Sequence, residues 1–346
     1  MAYTSIDDPT KYFNIKTYTG NLLTRAVEGL GHQPDFLWFK NLDTTNSHNV
    51  LDSLRGVTKK LEGPDNTNAE GDTSTRLTSF NSDGFTVRTD PSVNGDGNGI
   101  VAWQWKANGG SRTTFTESGD NPGGGRQVNT TAGFGIYDYT GTGGAGTIAH
   151  GLGATPKWVL IKDRGNAEHW IVATTQIDGS RDGIYLETTG AKFDLSSSNE
   201  LIFDSTNITL SDDWVDTNGD ARNYIMYAFT PIQGYSKFGS YTGNGNVDGT
   251  FVHTGFSPAW VMVKRTDSGN NWHMHDNKRV PHNSNNKTLY ANLTNTEGTE
   301  DFDMLSNGFK LRESGGGYNA SGGTYIYMAF AESPFVSSEG VPTTAR

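Results

Sequence analysis

The chain has 346 residues, 33% of them hydrophobic, with 44 Gly, 17 Phe, 14 Tyr and 8 Trp but no Cys, and a formal charge of −11 from 27 basic and 38 acidic side chains. That length suits two or three domains, and the glycine- and aromatic-rich balance favours short strands and turns over long helices. Disulfide and thiolate chemistry are excluded, the acidic balance repels phosphate backbones and argues against nucleic acid, and no run approaches the length of a membrane span.

The opening "MAYTSIDDPTKYF" has neither the basic start nor the apolar run of a cleaved signal, so a soluble chain assembled in a reducing cytosol is expected. Phe13 and Ile15 sit two apart, the alternation of a half-buried strand. They run into a turn, "YTG", at Tyr18. The apolar run that follows closes at Lys40, as expected of a central strand covered on both faces. "GFTVRT" is a further short strand announced by Gly. In "IVAWQW", Val101, Trp103 and Trp105 alternate with Ala102 and Gln104, so large side chains fall on one face and small ones on the other. The polar, Gly-rich Ala107–Gly133 follows, and reads as a flexible linker in preference to an ordered arm packed on a neighbouring subunit.

The order then begins again. Phe134 and Ile136 precede a second "YTG" at Tyr139, "WVLIK" ends at Lys162, and "GIYLET" leads to "YIMYAF" with Ile225, Tyr227 and Phe229. After the short junction Thr230–Ser236 a third "YTG" opens at Tyr241. "WVMVK" ends at Lys264, and "GFKLRE" leads to "YIYMAF" with Ile326, Met328 and Phe330.

These landmarks keep a ruler. From the "YTG" tyrosine to the lysine the intervals are 22, 23 and 23 residues, and from the lysine to Trp105, Phe229 or Phe330 they are 65, 67 and 66. Two independent spacings held this closely identify three copies of one module of about one hundred residues. The expected fold class is all-β, with three tandem antiparallel β-sandwiches of jelly-roll or Greek-key type. The units are expected at residues 1–106, 134–233 and 234–335, with the linker or arm at 107–133 and a C-terminal tail at 336–346.

Chemical motifs are sparse. "GTGGAG" from Gly141 matches the dinucleotide fingerprint, but a turn and strand follow where a helix N-terminus is needed. "NGDGNG" from Asn94 resembles half a calcium loop, yet Trp105 stands where the bidentate Glu belongs. No acid recurs at a fixed place in the three copies, so a glycosidase carboxylate pair is not supported. No enzymatic activity, metal or cofactor is expected. One stretch stands out: "NNWHMHDNKR" alternates Trp272, Met274 and Asp276 with His273, His275 and Asn277. An indole beside amide and charged groups suits a sugar ring, which makes Trp272, His273, His275, Asp276 and Arg279 the candidate ligand-binding residues. The competing reading puts Trp272 in the core with both histidines facing solvent; a metal shared by the two histidines is the third.

The runs "MAYTSIDDP", "SLRGVTKKLE", "LTSFNSDGFTV", "TTAGFGIYDYTGTG", "GYSKFGSYTGNGN", "FSPAWVMVKRTDS", "NASGGTYIYMAF" and "PFVSSEGVPTTAR" closely resemble a three-repeat, tail-fibre-like structural protein of marine tailed bacteriophages that infect cyanobacteria and other ocean bacteria. The resemblance spans essentially the whole chain. It implies a domain of unknown function associated with the virion and with tail genes, and it brings no catalytic residues. From it follow the expected roles: a tail fibre or tail-associated adhesin contacting the host surface, or alternatively a capsid, collar or tail decoration protein. The expected partners are other virion subunits, host-surface glycan or protein, and further copies of the chain in a homo-oligomer. The expected location is the virion, assembled in the bacterial cytoplasm.

Overall fold

The computed structural model describes residues 3–195 and 200–343, so the first two residues of the first unit and the last three of the tail lie outside the described residues. Among the described residues, the regular elements apart from two short helical turns, Pro9–Lys11 and Pro91–Asn94, are strands. Three large antiparallel sheets share one four-strand order. In the first, Phe13–Thr19 is followed by Gly99–Trp105, Phe36–Asn41 and Asn49–Asp52. In the second the order is Phe134–Thr140, Asn223–Phe229, Trp158–Asp163 and Trp170–Thr174; in the third it is Ser236–Thr242, Thr324–Pro334, Phe256–Arg265 and Trp272–Asp276. Register matches too, with Tyr18 opposite Ile100, Tyr139 opposite Tyr224 and Tyr241 opposite Tyr325.

Each large sheet is buried on both faces, as the unbroken apolar strands require. The outer face of the first carries Leu37, Phe39, Leu51, Ile100 and Ala102, covered by Val27, Leu77, Phe85 and Val87 from the small sheet of Arg25–Glu28, Gly84–Val87 and Leu77–Asn81. Gly146–Ala149, Asn207–Leu210 and Leu201–Phe203 cover the second in the same way. In the third, Gly298–Leu305, Gly308–Leu311 and Phe251–His253 cover it while staying continuous with the large sheet through Asn285–Tyr290. These are antiparallel β-sandwiches.

The inner faces do something that alternation alone does not specify. The bulky residues of all three closing strands lie in one cluster that spans the three units, from Trp103 and Trp105 through Tyr227 and Phe229 to Met328 and Phe330. Phe330 touches Phe13 and Trp105 of the first unit at 5.0 and 5.5 Å between ring centroids and Phe229 of the second at 5.9 Å. The modules are therefore not beads with private aromatic interiors. Each contributes one wall to a common core, and each keeps a smaller core of its own beneath its outer sheet.

The Gly-rich segment is ordered and packs on its own chain. Thr113–Phe115 pairs with Gly124–Asn129, which in turn pairs with Phe134–Thr140 and extends the second sheet. Its glycines permit this approach: a Cβ on Gly124 would stand 2.0 Å from the Asp138 carbonyl oxygen.

The landmarks of the ruler prove to be ties. The hydroxyls of Tyr18, Tyr139 and Tyr241 each donate at 2.6 Å to a carbonyl in the loop before the closing strand, those of Val93, Thr217 and Tyr318. A Cβ on the "YTG" glycines would strike that same loop, 2.1 Å from Gly95 O, 2.5 Å from Gly219 O and 2.3 Å from Ala320 O at Gly20, Gly141 and Gly243. Lys40, Lys162 and Lys264 are fully buried and donate to the carbonyls of the turn that follows, Asn41, Thr44 and Asn46 in the first unit and Asp163 and Asn166 in the second. Burial pulls all three ammonium pKa values down to about 8.

Candidate functional site

Polar side chains concentrate in two kinds of place, the seams between units and a cleft at one corner of the third. The seams come first because they hold the residues expected from sequence. Beside the fourth strand of each large sheet, an aromatic ring N–H reaches a backbone carbonyl of another unit. Trp170 donates to Asn66 O at 3.2 Å and Trp272 to Tyr185 O at 3.2 Å. His48 plays the same part: its Nδ1 accepts from Trp38 Nε1, leaving Nε2 protonated toward Tyr290 O at 3.0 Å.

Charged groups complete two of these seams. Asp52 and Arg55 pair at 2.6 Å with no exposure of either side chain. Arg55 also meets Glu70, and Asp52 accepts the Tyr227 hydroxyl of the second unit at 2.7 Å. The matching pair, Asp276 and Arg279, lies against the first unit, where Trp103 Nε1 donates to Asp276 at 3.1 Å and the guanidinium lies over the Trp103 ring.

Trp272, His273, His275 and Asp276 are thus buried, and so is the side chain of Arg279. Trp272 lies in the shared core and its indole N–H is used across the seam. Asp276 and Arg279 satisfy each other and the neighbouring unit. The histidines face the third unit's outer sheet, not solvent: His273 Nδ1 lies 2.7 Å from Glu300, and His275 stacks on Phe302 at 4.3 Å. Burial lowers the His275 pKa to about 3 and that of His48 to about 3, so both rings are neutral. In this structure none of the five offers a face to a sugar ring. Among the described residues no group of three or more His, Asp or Glu could hold a metal.

The end of the same stretch does reach solvent. Asn277 and Lys278 line a cleft of about 950 Å³ with Pro258, His282, Met304 and Asn307. The size is that of a small-molecule or oligosaccharide site. Its walls mix amide and hydroxyl groups with short apolar patches, and Lys278 Nζ pairs with Glu332 across it at 3.8 Å. In the first unit the corresponding corner is filled by the Gly-rich arm. There Ser53 Oγ lies 2.7 Å from both Asp35 Oδ1 and Gln127 Oε1, and Asp35 accepts the N–H groups of Ala107 and Gly109. Sequence reading did not find this cleft. Its one signal is the polar turn "KRVPHNSNNK", where Pro281 and a run of Asn break the strand pattern after Arg279.

Residues 8–334 match the model of a family described as a domain of unknown function, DUF7483. No curated protein and no solved structure matches the chain. The chain belongs to the DUF7483 family.

Proposed function

We propose that this member of the family is a non-enzymatic virion protein of a tailed bacteriophage, a tail fibre or tail-associated adhesin that meets the host surface through the exposed cleft of its third unit. The observation that carries this reading is the cleft itself, lined by Ser257, Asn277, Ser306 and Asn307, amide and hydroxyl groups that suit the hydroxyls of a surface glycan. The motif resemblance to marine phage proteins supports the virion as the setting. Several units on a particle would turn a weak cleft into firm attachment.

A capsid, collar or tail decoration protein is the second reading. It is favoured by the burial of the whole aromatic and histidine patch, whose differences between units serve packing across the seams. Immunogold labelling of purified virions tests the pair. Label at fibre tips, with Lys278→Glu protein losing its ability to compete for phage adsorption, is the adhesin result. Uniform label over the head is the decoration result, and particles free of label overturn both.

A further inference from the structure

The cleft of the third unit has an occupied counterpart inside the same molecule. The backbone frame is common to both corners: Ser53 N–H donates to Asp35 O at 2.8 Å in the first unit, and Asn277 N–H to Ala259 O at 2.9 Å in the third. In the first unit this frame grips amides. Asp35 takes the N–H groups of Ala107 and Gly109, and Ser53 Oγ meets the Gln127 carboxamide, all supplied by the arm. In the third unit Ala259 stands in the place of Asp35 and Asn277 in that of Ser53. The corner has lost the anion that catches backbone N–H groups and gained a carboxamide. One of its walls is new, because Phe256–Arg265 and Thr324–Pro334 run on past Trp260 and Phe330 and pair Ser257 with Ser333 across a register shift at Pro258.

Four asparagines line the cleft, and the fold uses only two of them for itself. Asn283 donates to Met304 O at 2.8 Å and accepts Met304 N–H at 2.9 Å, while Asn285 donates to Asp276 O at 2.6 Å and to Val280 O at 3.1 Å. These bonds tie the turn after Arg279 to the strands on either side, so the walls are set before a ligand arrives. Asn277 and Asn307 do no such work. Among the described residues neither carboxamide has a hydrogen-bond partner, and the buried Asn277 Oδ1 is left unsatisfied. A carboxamide that nothing holds can turn either its oxygen or its nitrogen outward. An unmet acceptor on a residue that lines a cleft calls for a donor from outside the chain.

We propose that the cleft recognises an acetamido sugar, a hexose whose N-acetyl group enters where the first unit holds its own amides. This rests on the reading of the cleft as a glycan site and names the glycan. The acetamido group is planar and trans, so its N–H and C=O point in opposite directions and are met from two separate walls. Asn277 follows the strand Trp272–Asp276, and Asn307 sits in the turn between Gly298–Leu305 and Gly308–Leu311. Pro258, Val280 and Met304 supply apolar surface for the acetyl methyl. A plain hexose brings one hydroxyl and no methyl to the same place. A peptide is the poorer occupant, because the carboxylate that takes two backbone N–H groups in the first unit is replaced by Ala259. An acidic sugar gains no free cation, since Lys278 is paired with Glu332 at 3.8 Å.

Ligand-observed NMR titration of the full chain compares N-acetylglucosamine, N-acetylgalactosamine and N-acetylmannosamine with glucose, galactose and mannose. At least one acetamido sugar is expected to bind about tenfold more tightly than its parent, the worth of one or two hydrogen bonds, with the strongest saturation transfer at the acetyl methyl. Asn277→Ala and Asn307→Ala are each expected to bring the two sugars within about twofold of one another. Tm should stay at the wild-type value in both variants, since neither side chain is bonded in the fold. Parent sugars that bind as tightly overturn the acetamido assignment and leave the glycan reading standing, as does a preference that survives both substitutions. N-acetylglutamine amide, a mimic of the arm's Gln127, binding as tightly as the best sugar overturns it in favour of a peptide. Binding of none of the sugars also overturns it, and the adsorption competition with Lys278→Glu then decides the adhesin reading separately. If either variant fails to fold, the wild-type sugar comparison decides alone.

Discussion

Replacing Phe330 by Ala separates a shared core from three private ones. The ring is 1% exposed and packs against Phe13, Trp105, Phe229, Tyr235, Phe238 and Trp260 from all three units. Removing a buried Phe costs about 3–5 kcal/mol. How that cost appears depends on what melts together. Unfolding entropy is roughly 2.1 cal/mol/K per residue, so the whole chain melting as one carries about 0.7 kcal/mol/K, and a loss of about 4 kcal/mol lowers Tm by roughly 6 °C. A third unit melting alone would carry about 0.2 kcal/mol/K, and its Tm would fall by roughly 20 °C. Scanning calorimetry distinguishes the two. The expected trace is one transition, displaced by the smaller amount, with all the enthalpy in it. An early peak holding about a third of the heat, followed by transitions that have not moved, would refute the shared core.

Two further perturbations probe the seams. Arg55→Met strips a fully buried guanidinium from Asp52, Glu70 and Tyr227 and leaves the buried Asp52 carboxylate without its cation, while Glu70 keeps Arg164, a loss of about 3–5 kcal/mol in urea unfolding; a midpoint that does not move would place that network outside the folded state's stability. The second perturbation is acid. Burial holds the folded pKa of His32 down to about 4 and those of His48 and His275 to about 3. An unfolded histidine takes its proton near pH 6.5, so the stabilisation is complete above that pH and is lost as pH falls toward the folded values. Three such groups give a slope of up to about 4 kcal/mol per pH unit, reduced by the raised carboxyls of Asp35 and Asp65, which act in the opposite sense. Chemical denaturation at pH 7, 6 and 5 should show stability falling steadily, and a flat profile would mean these rings are accessible in the native state.

The strands and their order in the chain were legible because periodicity reports local structure directly. Trp103 and Trp105 alternating with Ala102 announce a two-faced strand, and the face assignment is that seen in the structure. The alternation does not say what covers a face, and here another unit covers it. The same gap explains the patch at Trp272: a Trp followed by two histidines looks the same in sequence whether its ring meets a sugar or the carbonyl of Tyr185. The Gly-rich arm misled for a related reason. Glycine marks flexibility in an isolated chain, yet at Gly124 it marks the close approach of two backbones. The cleft was illegible because its walls come from strands and turns far apart in sequence, at Pro258, Asn277, Met304 and Asn307, and no local pattern joins them.

The residues shared by the units are accounted for by the fold. The lysine is the most telling, since an ammonium buried completely is costly unless its protons are bonded, and Lys40, Lys162 and Lys264 meet that condition by gathering carbonyls that the following turn cannot otherwise satisfy. In the third unit one of those carbonyls, Thr189 O, comes from the second unit at 3.1 Å, so the tie becomes a rivet between units. Tyr18, Tyr139 and Tyr241 do the like for the opposite loop. Positions common to all three thus build walls and seams. Individual behaviour survives where the units differ, at a corner filled by the arm in the first and open in the third, and at an edge that takes a further strand in the second but not in the third. The proposed recognition role falls at the first of these breaks, the corner that the arm leaves open in the third unit.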